Sequence, residues 1–278
     1  MIALPELDAR AAWSVRIVDA ESGRILAEHT PDVQCETASI GKIFLLLEVA
    51  RRLEDGSLSE DQRIDIPDEH RVADSGLLYL MRDQRLTVHD AALLVGAVSD
   101  NLATNALIHL CGLEAVRDVA PSLGYTRTSL LDYIRNERTP DLPWTPSYGT
   151  AAELADVMRR IGAGDAFSPA VCTRVLSWLA AGTDTSMTAD SFLLDPLAHV
   201  EAEYQGMVLR HKTGSVSFAR VDVGLLAGPA ARVAYAVAAN WKDSPADLRA
   251  PVLDDMRAIG EAIRAHVTGR ARDEEAAS

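Results

Sequence analysis

The chain has 278 residues, 48% of them hydrophobic, and a formal net charge of −14. That much apolar material fills one large domain or two interleaved subdomains. An acidic balance without a basic stripe excludes nucleic acid as a partner, because nothing is there to neutralise phosphates, and argues equally against an anionic membrane surface. No run approaches the roughly 18 consecutive apolar residues of a membrane span.

Met1 to Arg10 lacks the basic-then-apolar pattern of an export signal. Cys35, Cys111 and Cys172 are odd in number, form no metal spacing and read as reduced thiols. The expectation is a cytoplasmic protein, or a secreted one if the start has been replaced. Trp13 to Val18 alternates apolar and polar residues, Glu21-Ser22-Gly23 interrupts it, and Arg24 to His29 resumes. This spacing predicts a β-hairpin. An apolar helix follows from Thr37 or Ser39 through Leu53, stopped by Gly56.

From about residue 57 to 200 the pattern is mostly helical. Thr87 is a candidate N-cap for a helix reaching Val98, and Leu102 to Leu110 continues helical to Gly112. Residues 132 to 149 hold three prolines and read as a long loop. Thr150–Ile161 and Pro169–Ala180 are amphipathic helices. The period then drops to two: Met207 to Lys212, Arg220 to Leu226 and Arg232 to Ala239 read as adjacent antiparallel strands. Leu253 to Val267 closes the chain as a helix, followed by a polar tail from Gly269 to Ser278 expected to fray.

Strands at both ends with helices between them imply a mixed α/β (α+β) fold. Residues 1–56 and 201–278 would form a sheet subdomain, an antiparallel sheet flanked by helices. Residues 57–200 would be an inserted all-helical subdomain, and a cleft would lie at the junction. Three short motifs fall near that junction: Ser39-Ile-Gly-Lys42, Ser99-Asp100-Asn101 and Lys212-Thr213-Gly214. The chain holds 27 Lys plus Arg, yet only Lys42, Lys212 and Lys242 are lysine. Arginine cannot give up its proton in a protein and lysine can. Two of the three lysines sitting in the motifs fits sites that need an amine able to become neutral.

Ser39 and Lys42, three apart, share a helix face, so a neutral Lys42 can take the Ser39 proton and make it a nucleophile. Burial and the charge of Lys212 would supply the neutrality. None of the seven histidines stands in a serine-triad context. Asp100 is expected to face inward and tie the loop backbone, as Ser, Asp and Asn all favour helix caps.

The three motifs in this order resemble those of the class A serine β-lactamases and the penicillin-binding proteins. The segments Thr37–Phe44, Val98–Asn105 and His211–Ser215 carry the resemblance, which spans nearly the whole chain. It implies a β-lactamase-like fold and an acyl-enzyme on Ser39. Lys42, Ser99 and Lys212 would be catalytic, with Ser99 passing a proton to the leaving nitrogen. Asn101 would hold the substrate amide, and Lys212 and Thr213 its carboxylate. Gly214 would let the strand edge approach the substrate, and the Ser215 and Ser39 N–H groups would form the oxyanion hole. Arg220 resembles the family's additional carboxylate-binding arginine, and Asn105 stands where the family has a structural asparagine. The implied partner is a small amide, ester or β-lactam bearing a carboxylate, with no cofactor and no metal; the oligomeric state stays open.

One departure bears on function. The glutamate that activates the deacylating water in this family falls here near Ile134 or Arg135, in Leu130-Leu-Asp-Tyr-Ile-Arg-Asn-Glu-Arg138. Glu137 and Asp141 come later and are candidate displaced bases. The expectation is an acyl-enzyme hydrolase with slow deacylation. A biosynthetic transacylase is the alternative, and a D,D-peptidase or a non-catalytic β-lactam-binding module are further readings.

Overall fold

The computed structural model describes residues 1–196 and 206–269. Five strands form its centre: β1 (Ala12–Asp19), β2 (Ile25–His29), β8 (Val208–Val216), β9 (Ala219–Ala227) and β10 (Arg232–Asn240). They make one antiparallel sheet in the order β2-β1-β10-β9-β8. The first and last parts of the chain therefore join in one sheet: Ala12 faces Asn240 and Asp19 faces Val233 across the β1–β10 pair. Strand alternation sends Val15, Ile17, Tyr235 and Val237 to one face and Val221, Val223, Ala234, Ala236 and Ala238 to the other.

The two faces carry different covers. α8 (Arg249–Thr268) lays Val252, Met256, Ile259, Ile263 and Val267 on the first face. The opposite face receives α6 (Ala151–Ala163), which packs on β1, β9 and β10. The alanines of β10 there leave room for a helix to come close. Behind α6 lie α1 (Lys42–Glu54), α2 (Val88–Val98), α3 (Asn101–Cys111) and α7 (Pro169–Leu179), with the short turns α4 (Leu113–Arg117) and α5 (Val119–Ser122). Every residue of α1 from Lys42 to Ala50 is buried. A helix apolar all round is one surrounded by others, and α1 packs against α2, α3 and α7.

The expected N-cap is made, Thr87 accepting from the Asp90 N–H, and Thr150, expected inside its helix, caps it by accepting from the Glu153 N–H. Residues 57–87, expected to be mostly helical, are instead extended. They contain the two-residue strands β4 (Arg63–Ile64) and β5 (Leu86–Thr87) and two single 3-10 turns. Asp74 at φ +82° and Gly76 at φ +111° stop any helix there. The loop is held from outside, because Asp100 Oδ2 accepts from the N–H groups of both Leu77 and Leu78 at 2.7 Å. The loop expected over 132–149 ends in β7 (Ser147–Gly149), which pairs with β3 (Cys35–Glu36) and β6 (Ser129–Leu130). The three cysteines are buried and unpaired. Among the described residues no helix is long and apolar enough to cross a membrane. The tail beyond Gly269 lies outside the described residues.

Candidate active site

The helix expected to begin at Thr37 or Ser39 begins at Lys42, preceded by a 3-10 turn over Ala38–Gly41. Residues three apart eclipse in such a turn, so Ser39 stays on the side of Lys42. Ala38 has φ +50°, a left-handed conformation costly for a residue with a Cβ. Strand β8 runs against this turn. A Cβ at Gly214 would stand 2.3 Å from the Thr37 carbonyl oxygen and 3.0 Å from the Ser39 nitrogen. Gly214 thus brings the strand up to the nucleophile segment.

Ser39, Ser99, Asn101, Lys212, Thr213, Ser215 and Arg220 all line one cleft of about 860 Å3. Its helical wall is a closed network. Lys42 Nζ donates to the Ser99 carbonyl oxygen at 2.7 Å, to Ser99 Oγ at 3.1 Å and to Asn101 Oδ1 at 2.8 Å. The Ser39 hydroxyl has no hydrogen bond to a described residue, so Lys42 is seated on the Ser99 side. Ser99 reaches the cleft because it ends α2 in the left-handed conformation, φ +56°, and Asp100 starts α3 as its N-cap. Asp100 faces inward as expected. Its Oδ1 caps the Ala103 N–H while Oδ2 grips the 77–78 loop.

Burial pulls the Lys42 pKa well below its ordinary value, and the charge of Lys212 adds to this, against the opposing pull of Asp100 and Asp74. Burial also pulls Lys212 down to about 8, although Asp184 and Asp222 act to raise it. These are the two amines that the lysine-poor composition singles out.

On the sheet wall, Lys212 Nζ donates to the Thr213 carbonyl oxygen at 2.7 Å, and Thr213 Oγ1 donates to Asp184 at 2.7 Å. Asp184, in the turn after α7, belongs to none of the three motifs. Arg220 sits opposite Ser215 in the β8–β9 register. Its Nη1 donates to the carbonyls of Val216 and Ala219, and the guanidinium lies 5.9 Å from the Trp241 ring centre.

The floor of the cleft is the loop after β6. Asn105 clamps residue 134 from both sides: its Oδ1 accepts from the Ile134 N–H and its Nδ2 donates to the Ile134 carbonyl, each at 2.8 Å. The buried Asp132 holds the rest of the loop through Arg135 at 2.9 Å, Arg138 at 3.0 Å and the Tyr133 N–H. Ile134 and Arg135 line the cleft. Glu137 and Asp141, the candidate displaced bases, do not. Both are exposed, and Glu137 lines a separate shallow pocket with Glu69 and His70. The clamp on residue 134 presents that side chain and turns the following acidic residues away.

A family model described as the β-lactamase enzyme family matches residues 4–267. A β-lactamase from Sphaerobacter thermophilus DSM 20745 has a similar structure, with a TM-score of 0.78 and 27% identity, over 91% of this chain and 90% of that one. PBP-A aligns with a TM-score of 0.76 at 20% identity over 96% and 92% of the two chains. An ancestral class A β-lactamase, GNCA, aligns with a TM-score of 0.74 at 23% identity over 92% and 94%. A comparison with curated proteins finds none that matches. A match over nearly the whole chain, with the three motifs gathered round one cleft, makes this chain a member of the β-lactamase enzyme family.

Proposed function

We propose that the protein is a serine hydrolase that opens cyclic amides of the β-lactam kind through an acyl-enzyme on Ser39, and that it releases the acyl group slowly. The observation that carries this is the buried Lys42, its pKa pulled down, within hydrogen-bond reach of Ser99 and three residues from Ser39. Neutral Lys42 takes the Oγ proton as Ser39 attacks the carbonyl carbon. The N–H groups of Ser39 and Ser215 stabilise the oxyanion. When the C–N bond breaks, Ser99 gives its hydroxyl proton to the leaving nitrogen and regains one from Lys42. The acyl group is left as an ester on Ser39.

Hydrolysis of that ester needs a base to deprotonate water, and the clamp on residue 134 presents an isoleucine. The same observation favours a second reading, a transacylase in which an amine replaces water. A neutral amine is already nucleophilic and depends less on such a base. Incubation with excess penicillin, followed by intact mass over hours, tests the first step. One adduct of the full penicillin mass is expected, absent in Ser39→Ala. An adduct that persists in Ser39→Ala removes the assignment. Added hydroxylamine or a primary amine should shorten the adduct's lifetime.

A further inference from the structure

The sheet end of the cleft differs from what the family resemblance implies for a carboxylate site. Each of the three groups that would hold a carboxylate already has a protein partner, and for Thr213 that partner takes its one proton. Thr213 has one hydroxyl proton, and it goes to Asp184 Oδ2 at 2.7 Å. Lys212 Nζ donates to the Thr213 carbonyl. Arg220 spends Nη1 on the Val216 and Ala219 carbonyls. Asp184 is itself fixed, since its Oδ1 accepts from the Ser186 hydroxyl at 2.6 Å and the Ser186 N–H at 3.2 Å. It lines the same cleft as Ser39 and Lys212.

We infer that Asp184 determines specificity at this end of the cleft: it takes a neutral hydrogen-bond donor of the substrate, an amide N–H or a hydroxyl, and turns away a carboxylate. A carboxylate could reach Thr213 only by displacing Asp184, which would leave two like charges side by side. A carboxamide meets no such conflict. Its N–H donates to a remaining lone pair of Asp184, and its oxygen accepts from Lys212. The ammonium of Lys212 and the carboxylate of Asp184 cancel locally, so an ammonium on the substrate gains little, and the neutral donor fits best. A repulsive element of this kind is a common way for a site to reject a near relative of its substrate. The ionised state of Asp184 agrees with this. Burial acts to raise its pKa, but the hydrogen bonds from Ser186 and Thr213, with His211 nearby, outweigh it and hold the carboxyl below its ordinary value.

This deepens the acyl-enzyme reading and shares its cleft, so the test separates the two. Benzylpenicillin and its primary carboxamide differ only at the group in question. Their affinities for the Ser39→Ala protein, measured by calorimetry, need no chemistry at Ser39. The carboxamide should bind tighter by on the order of tenfold, the scale of one partly screened like-charge contact. Asp184→Asn should erase or reverse that preference. Thr213→Val, which keeps the charge of Asp184, should not improve binding of the carboxylate. The inference is overturned if the unaltered cleft prefers the carboxylate, if Asp184→Asn changes both affinities alike as a structural role predicts, or if neither ligand binds. If the preference and its reversal are seen but Ser39 forms no adduct in the active protein, the specificity role stands and the acyl-enzyme reading falls.

Discussion

The helical wall of the cleft and the loop beneath it are built with equal care but equipped differently. On the wall, Lys42 makes three hydrogen bonds to Ser99 and Asn101, and Asp100 fixes the turn that carries them. On the loop, Asp132 and Asn105 hold the backbone just as firmly. Yet the side chains this loop offers to the cleft are Ile134, on the clamped backbone, with Arg135, Asn136 and Arg138 beside it. One region is rigid around the groups proposed for proton transfer, the other around side chains that include no carboxylate. Backbone order alone therefore says nothing about whether a catalytic step is supported; the chemistry of the presented side chain decides. The wall carries the groups proposed for acylation, and the loop carries at residue 134 no group proposed for hydrolysis.

The largest effect that would break this contrast lies on the wall. Lys42→Arg keeps a positive charge and nearly the same length but removes the only group there able to become neutral. Acylation by a penicillin, followed by the rate of mass-adduct formation, should fall by about a hundredfold to ten-thousandfold, the usual range for a placed proton-transfer group. A near-native rate would show that charge alone is needed at that position, and the two regions would no longer differ in kind.

The next effect sharpens the contrast from the other side. Ile134→Glu places a carboxylate on the clamped backbone, facing the cleft. The acyl-enzyme on Ser39 should then turn over faster by roughly a hundredfold, the low end for general-base catalysis. Ile134→Gln, with the same shape and no basicity, should leave its lifetime long. If both variants release the acyl group equally fast, the isoleucine was acting as a water shield, and the absent base was not the cause of persistence. The half-life of the adduct by intact mass distinguishes these outcomes.

How much of the molecule is legible in its amino-acid sequence depends on how local each signal is. The β1–β2 hairpin, the cap at Thr87 and the three antiparallel strands are written in neighbouring residues, and they form as expected. Ser39, Lys42, Ser99, Asn101 and Lys212 are legible because the motifs are short and the lysines few. The extended path of 57–87 is not, because its shape is imposed by Asp100 from beyond the segment. Asp184 is hidden for the same reason: its partner Thr213 lies 29 residues away. The role of Gly214 is half legible. Its need for closeness is clear from the motif, but the neighbour that demands it, the Thr37 carbonyl, comes from a distant part of the chain. Glu137 and Asp141, the candidate displaced bases, are exposed and do not line the cleft, since sequence proximity to Ile134 does not survive the turn that the clamp enforces.

The smallest effect concerns pH, and it tests whether the two lysines act as an unlike pair. Lys42 must be neutral to accept a proton, and Lys212 must be charged to hold an oxygen of the substrate and to keep the Lys42 pKa down. Burial is the main cause for both, and the charge of Lys212 further lowers Lys42. Raising the pH increases acylation wherever Lys42 loses its proton, and decreases it as Lys212, with a pKa of about 8, loses its own. Well above that value the rate for benzylpenicillin should fall by up to about tenfold per unit, the limit for loss of one proton. Lys212→Arg keeps its charge over the whole range, so the descending limb near 8 should vanish while the ascending limb stays. Adduct lifetime should follow neither limb, because the loop beneath carries no titrating base at position 134. A profile for native protein that stays flat from neutral to strongly alkaline pH would mean that the charge of Lys212 does not matter to acylation. A limb that persists in Lys212→Arg would assign it to another group, Lys42 or the substrate, and would dissolve the distinction between a proton-accepting and a charge-holding lysine.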